Sequence, residues 1–239
     1  MIVFAAIAPH GDVDLAPELR DAMAELGRRC DADVAIVATP HNVHVEGHFA
    51  VVTAASVGAH ETDRELAHAI VEAMRADGLP VVGVSFGGND PAAAEMPLDW
   101  GAEVPLQFVR TPRVVVVAPA RDRPLDEHVR AGAAIARATG DRRCALIASA
   151  DHGHAHDPEG PYGFDHAAAA YDARFLALLD SQPLDFMPLA ELVDAAKADS
   201  LWQLLVLQGA APGPAELLAY AAPTYYGMAV AVSQRLRPG

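Results

Sequence analysis

Three histidines, His10, His41 and His154, each stand just past an apolar run that reads as a β-strand, in the segments AAIAPHGD, VAIVATPHN and ALIASADHGH. Imidazole is the commonest metal-binding side chain and the usual acid/base group near neutral pH. In an open α/β sheet the carboxyl ends of the strands face one crevice, which is where such folds build their sites. Three imidazoles delivered to one rim point to a metal-dependent enzyme. Two histidines and one carboxylate on one face of a metal make the facial triad of non-haem Fe(II) enzymes, which leaves positions open for substrate and O2. His10 and His41 would supply the nitrogens, and Asp12, Glu46, Asp151 and Asp199 are the carboxylates that suit the chemistry.

The local patterns around these residues repeat. Pro9 precedes His10 and Pro40 precedes His41, and each proline fixes the chain direction, while Gly11 allows a sharp turn. Residues 149–157, SADHGHAHD, form the densest titratable cluster. A His-rich tract can bind metal by itself, but neighbours on a loop point in different directions. One or two of His152, His154 and His156 are therefore expected to face the crevice. His44 and His48 follow His41 closely and are not expected to be ligands. His68 and His128 fall inside helical patterns, and His60 and His166 near helix starts, so all four are expected at the surface or in caps.

The elements that must position these groups alternate between two periods. Strands are expected at 2–8, 34–39, 49–55, 81–86, 114–118, 145–149 and 226–233, with helices at 15–29, 62–74, 125–139, 166–179, 189–197 and 200–208. Thr62 followed by Glu65 is a capping-box signal for the second helix. Such alternation implies an α/β fold, a single domain over 1–239 with a central, mostly parallel or mixed sheet covered by helices on both faces. The stretches 87–91 and 157–163, rich in Pro and Gly, are expected as loops at the functional rim.

Composition excludes several classes of function. Seventeen basic against 32 acidic residues give a formal charge of −15, which argues against nucleic-acid or anionic-membrane partners. Hydrophobic residues make up 52% of the chain and aromatics only 6%, so a large core is expected in which helices pack closely through small side chains. The two cysteines, Cys30 and Cys144, are too few for a disulfide framework and read as small buried hydrophobes. The opening MIVFAAIAPHGD lacks a basic leader, and the apolar run near 204–223 is broken by Pro and Gly, so a cytoplasmic protein without a membrane span is expected.

Taken together and in order, these motifs resemble the class III extradiol ring-cleavage dioxygenases, the superfamily of protocatechuate 4,5-dioxygenase catalytic subunits, along nearly the whole chain. Ala8-Pro9-His10-Gly11 and Thr39-Pro40-His41-Asn42 resemble the two iron-ligand motifs. The run from Ser149 to His154 is similar to the family's Ser-Gly-x-x-Ser-His, which maps its acid/base histidine onto His154. Tyr171-Asp172-Ala173-Arg174-Phe175 resembles the Phe-Asp-x-x-Phe helix, and Tyr226-Gly227-Met228-Ala229-Val230 the closing strand.

The resemblance implies Fe(II), with zinc as the alternative, a small aromatic diol with O2 as substrates, and His152, His156 and Trp100 near the substrate. A homodimer is compatible with it, and so is a small second subunit. Two departures stand out. The family's third ligand is a glutamate, whereas Asp199 is the nearest carboxylate here and equally suits a helix cap. Trp100 stands where the family usually has a histidine, and an indole cannot accept a hydrogen bond or shuttle a proton. A member that has lost ring cleavage, and serves as a binding protein or a metal-dependent hydrolase, is the competing reading.

Overall fold

The computed structural model describes residues 1–233 except 88, 89 and 91. Its strands are β1 (Ile2–Ala8), β2 (Val34–Ala38), β3 (Phe49–Val52), β4 (Ser56–Val57), β5 (His60–Thr62) and β6 (Val81–Val84). They continue with β7 (Glu95–Met96), β8 (Arg113–Ala118), β9 (Cys144–Ser149), β10 (Ala215–Ala221) and β11 (Met228–Ser233). The helices are α1 (Pro17–Arg29), α2 (Arg64–Ala76), α3 (Trp100–Phe108), α4 (Leu125–Ala138), α5 (His166–Leu178), α6 (Val193–Ala196) and α7 (Leu201–Ala210).

All eleven strands join one mixed sheet, ordered β10-β11-β1-β9-β2-β8-β5-β4-β7, with β3 pairing β6 and β8. The centre is parallel: β9 lies between β1 and β2, and β2 pairs in turn with β8. These strands are buried on both faces, which is why they read as continuous apolar runs. Period-2 alternation divides their side chains between two core layers. Ile7, Val34, Ile36, Val115, Val117 and Leu146 face α2, α4, α5 and α7, and Ala6, Ala35, Val37, Val114, Val116 and Ile147 face α1 and α3.

Helix α1 buries Leu19, Ala22, Met23 and Leu26, one stripe at helical spacing. Helix α2 likewise buries Leu66, Ile70 and Met74, each stabilising the fold by roughly 1.5–3 kcal/mol relative to exposure. Helix α7 is buried on nearly every side. It meets α4 through glycines: a Cβ on Gly132 would strike the Val206 carbonyl oxygen, and one on Gly209 that of Val129. The close helix packing expected from composition is found at that contact. Among the described residues no helix is long and apolar enough to cross a membrane.

Several local expectations are corrected. Asp63, not Thr62, caps α2, its carboxylate accepting from the Leu66 N–H at 3.0 Å. The short acid fits the N-cap position and Thr62 ends β5. The helix expected over 189–197 is a 3₁₀ turn (Met187–Glu191) followed by the single turn of α6. Helix α3 and strand β10 were not expected, because Pro105 interrupts the first and the second follows a Pro/Gly stretch. His128 is fully buried rather than exposed or capping. It shares the inner face of α4 with Ala131, Gly132 and Ile135, and its ring packs on Phe49 at 4.8 Å. His60 lies in β5. The loop at 157–163 is present, whereas 88, 89 and 91 of the other expected rim loop lie outside the described residues.

Candidate metal centre

Because β9 is inserted between β1 and β2, the segments leaving their carboxyl ends emerge side by side. His10 Nε2 and His41 Nε2 come within 3.0 Å. Asp199, just before α7, places Oδ2 at 3.3 Å from His10 Nε2 and 3.5 Å from His41 Nε2. These three atoms are the one cluster among the described residues that could hold a metal ion. For bonds of about 2.0–2.2 Å at angles near 90–110°, donor atoms around one ion lie roughly 2.8–3.6 Å apart. The separations observed match that requirement without rearrangement. Asp199 Oδ1 is buried and has no hydrogen-bond partner, a cost the fold would not bear for a cap. Ser200 occupies the N-cap position of α7 and makes no side-chain cap bond.

Both histidines are held from behind. The Nδ1–H of His10 donates to Ser149 Oγ at 3.0 Å, and the Ser149 hydroxyl donates in turn to the Gly101 carbonyl. That chain assigns the proton of neutral His10 to Nδ1 and turns the Nε2 lone pair into the site, the usual role of outer partners. Asp99 caps α3 by accepting from the Ala102 N–H at 3.1 Å, and also accepts from Thr39 Oγ1 at 2.7 Å and Asn42 Nδ2 at 2.9 Å. The start of α3 is thereby tied to the segment carrying His41. Trp100, the first residue of α3, stacks on the His41 ring at 4.3 Å and 29°.

Electrostatics favour positive charge here. Burial opposes protonation of His10, but Asp151 and Asp199 outweigh it and push its pKa up to about 9. Burial also opposes ionisation of Asp199, yet its hydrogen bonds with His10 and His41 hold the carboxyl well below the usual range. Asp151 accepts from the His10 backbone N–H at 3.1 Å, and burial raises its pKa. Carboxylates converging on imidazoles in this way suit a divalent cation as well as a proton.

Beside His10, His41 and Asp199 is a cavity of about 570 Å³, walled by Trp100, His154, Tyr162, Tyr225 and Tyr226. Such a volume is typical of a small-molecule site. His154 reaches it with a defined tautomer: Nδ1 donates to the His152 carbonyl at 2.7 Å, which leaves Nε2 as an acceptor. Its ring stacks on Tyr226 at 5.7 Å. His152 is instead fully buried, stacked on Phe175 and bonded to Ser200 Oγ at 3.2 Å, and burial pushes its pKa down to about 4. His156 turns to Asp172, at 2.8 Å. Asp172 also accepts from the Gly153 N–H and the Tyr220 hydroxyl, so it anchors the whole loop that carries His154.

The sequence profile of the family described as the catalytic LigB subunit of aromatic ring-opening dioxygenase matches residues 32–232. The chain belongs to this family. The matched residues contain His41, His154 and Asp199, and His10 lies before them. No match to a curated protein was found. Among solved structures, the chain is similar to an uncharacterized protein, JW3007, from Escherichia coli K12. The TM-score is 0.68 at 17% identity, over 97% of this chain and 100% of that one. This likeness shows the fold alone. Sequence reading missed the supporting groups of this LigB-family site, namely Ser149 behind His10, Asp99 behind His41, and Asp172 behind His154. Ser149 and Asp172 stand inside the quoted motifs, yet only the folded geometry shows what they hold.

Proposed function

We propose that this chain is a ring-opening dioxygenase that holds ferrous iron with His10, His41 and Asp199. It would cleave a catechol-like diol with O2 beside the hydroxylated carbons, residues 1–239 acting as one catalytic unit. The observation that carries this reading is the His10–His41–Asp199 cluster at the floor of an aromatic-walled cavity in a LigB-family chain. Ferrous iron would supply Lewis acidity and the electrons through which a diol and O2 react. Both oxygen atoms enter the product as one ring C–C bond breaks, so no external reductant is consumed.

The chain's own groups do the rest. His154 Nε2, free to accept, takes the proton of a diol hydroxyl and returns it as the ring opens; general acid–base help of this kind is worth ~10²–10⁴ in rate. Trp100, Tyr162 and Tyr225 give the aromatic ring flat or edge-on partners. The deciding experiment is metal content after anaerobic purification, followed by oxygen uptake with a panel of catechols. One iron per chain, lost in both His10→Ala and His41→Ala, supports the assignment. Retention of iron by both variants refutes it.

Trp100 favours a second reading. It covers His41 with a group that cannot accept a proton, and two histidines with one carboxylate also suit zinc. Zinc would supply hydrolytic rather than oxidative chemistry. Esterase or amidase activity under argon would mark that outcome, since a dioxygenase is silent there.

A further inference from the structure

We propose that Tyr226 is a positioning residue, which aims the ring of His154 into the cavity and ties it to the segment carrying His10; the inference rests on the dioxygenase reading above. The main chain beneath His154 has little freedom left. The His152 N–H donates to the Gly227 carbonyl at 2.8 Å, and the His154 N–H to the Ala196 carbonyl at 2.7 Å. Between them, the Gly153 N–H donates to Asp172 at 2.8 Å and the Gly153 carbonyl accepts from the Gly227 N–H at 2.9 Å.

What remains to be set is the imidazole itself. A ring left to rotate must be ordered at the moment of reaction, and that entropy adds to the barrier unless the fold has removed it beforehand. The bond from Nδ1 to the His152 carbonyl fixes one edge of the ring, and Tyr226 covers one face, at 5.7 Å and 26°. Tyr162 and Tyr225 meet the same ring less closely, at 6.1 and 6.0 Å and at angles of 84° and 52°.

Tyr226 reaches the other half of the site through its hydroxyl, which accepts from the Asp12 N–H at 3.2 Å, two residues beyond His10. Gly11 makes the room, since a Cβ there would strike the Tyr226 ring. Gly227, on the other side, is constrained in the same way: its Cβ would strike the Asp172 carboxylate that holds Gly153 and His156. The segment bearing Tyr226 also runs antiparallel to the loop bearing His154, with Asp151 bridging Met228 and the His156 N–H donating to the Tyr225 carbonyl at 3.1 Å. One side chain thus touches both the segment that delivers a metal ligand and the ring that would move the proton.

Two variants test this, Tyr226→Leu, which removes both contacts, and Tyr226→Phe, which removes only the hydroxyl. In oxygen uptake with catechol, Tyr226→Leu should lower kcat about 10- to 100-fold, the effect of a misplaced reacting group, with KM and iron content kept. Tyr226→Phe should lose about 3-fold, the share of one neutral hydrogen bond. Because Tyr226 acts through His154, Tyr226→Leu should cost less than about 2-fold in a His154→Ala background. A second readout needs no turnover. In zinc-loaded protein carrying isotope-labelled histidine, magnetic resonance should show His154 as the single Nδ1–H tautomer in wild type and Tyr226→Phe, and as a mixture in Tyr226→Leu. A loss of equal size in the His154→Ala background overturns the inference and leaves the dioxygenase reading standing. So does a single tautomer in Tyr226→Leu, and so do mixed tautomers in Tyr226→Phe, the isosteric variant that keeps the fold. If the wild type consumes no oxygen with any catechol, the dioxygenase reading falls, and the tautomers alone decide whether Tyr226 aims His154.

Discussion

Replacing Ser149 with alanine tests whether His10 is held as a ligand or merely packed. The Ser149 hydroxyl is fully buried, accepts from His10 Nδ1 at 3.0 Å and donates to the Gly101 carbonyl. Removing it leaves one buried N–H and one buried carbonyl without partners. Each orphan costs roughly 1–3 kcal/mol, so the midpoint of urea unfolding should fall measurably while the protein still folds. The effect on metal should be separate. Without its outer partner the His10 ring is free to take the other tautomer and to rotate, and such losses typically cost 10–100-fold in metal affinity, about 1.4–2.8 kcal/mol. The assay is competition for Fe(II) against a chelator under anaerobic conditions, for wild type, Ser149→Ala and Ser149→Thr, with urea unfolding run in parallel. Thr keeps the hydroxyl and should retain most of the affinity. Should Ser149→Ala hold iron within about 2-fold of wild type despite lower stability, the hydroxyl only fills the core and the reasoning about His10 is wrong.

Further expectations follow from the same geometry. Asp199→Ala should lose iron like the two histidine variants, whereas His154→Ala should keep it and lose ~10²–10⁴ in turnover, since its Nε2 is offered to substrate; metal analysis beside oxygen uptake separates the two behaviours. His128 is neutral and buried, and burial pushes its pKa down to about 4 from 6.5. The unfolded chain takes up that proton first, so stability is full above pH 6.5 and declines as pH falls toward 4, by up to ~3 kcal/mol. His128→Leu should weaken the dependence of urea midpoints on pH across this range, the buried His152 keeping its own share, and a variant whose midpoints fall as steeply as the wild type's between pH 7 and 5 would contradict the assignment. Gly209→Ala should destabilise by more than ~2 kcal/mol, because its Cβ would occupy the space of the Val129 carbonyl and two helices must separate; thermal unfolding is the measure.

The frame of the site was legible in the sequence because strand ends are. Apolar runs followed by Pro-His located His10 and His41, and the parallel sheet brought them to one rim. Asp199 was ambiguous, since an acid before a helix is a natural cap; its unpartnered Oδ1 and the position of Ser200 as N-cap speak against the capping reading. Neighbours in one loop were harder to read. His152, His154 and His156 are two residues apart, yet one is buried against Phe175, one faces the cavity and one is bound to Asp172. Those orientations depend on α5, which the local sequence does not describe. Helix α3 was hidden by Pro105, and with it the stacking of Trp100 on His41. His128 illustrates the opposite case: its place on the inner stripe of α4 is in the sequence pattern, where the phase of the helix outweighs the polarity of the ring.

The insertion of β9 between β1 and β2 also orders events in time. His10 and Asp151 come from strands paired across some 140 positions of chain, and Asp199 from a helix still further along. Closing loops that long is the slow part of assembling a sheet. The donors therefore meet only after the central strands have docked, and no early fragment of the chain can capture an ion through this cluster. A metal ion would act as a late lock on a finished scaffold rather than a seed for building it. Iron supplied during refolding should leave the folding rate unchanged and slow only unfolding.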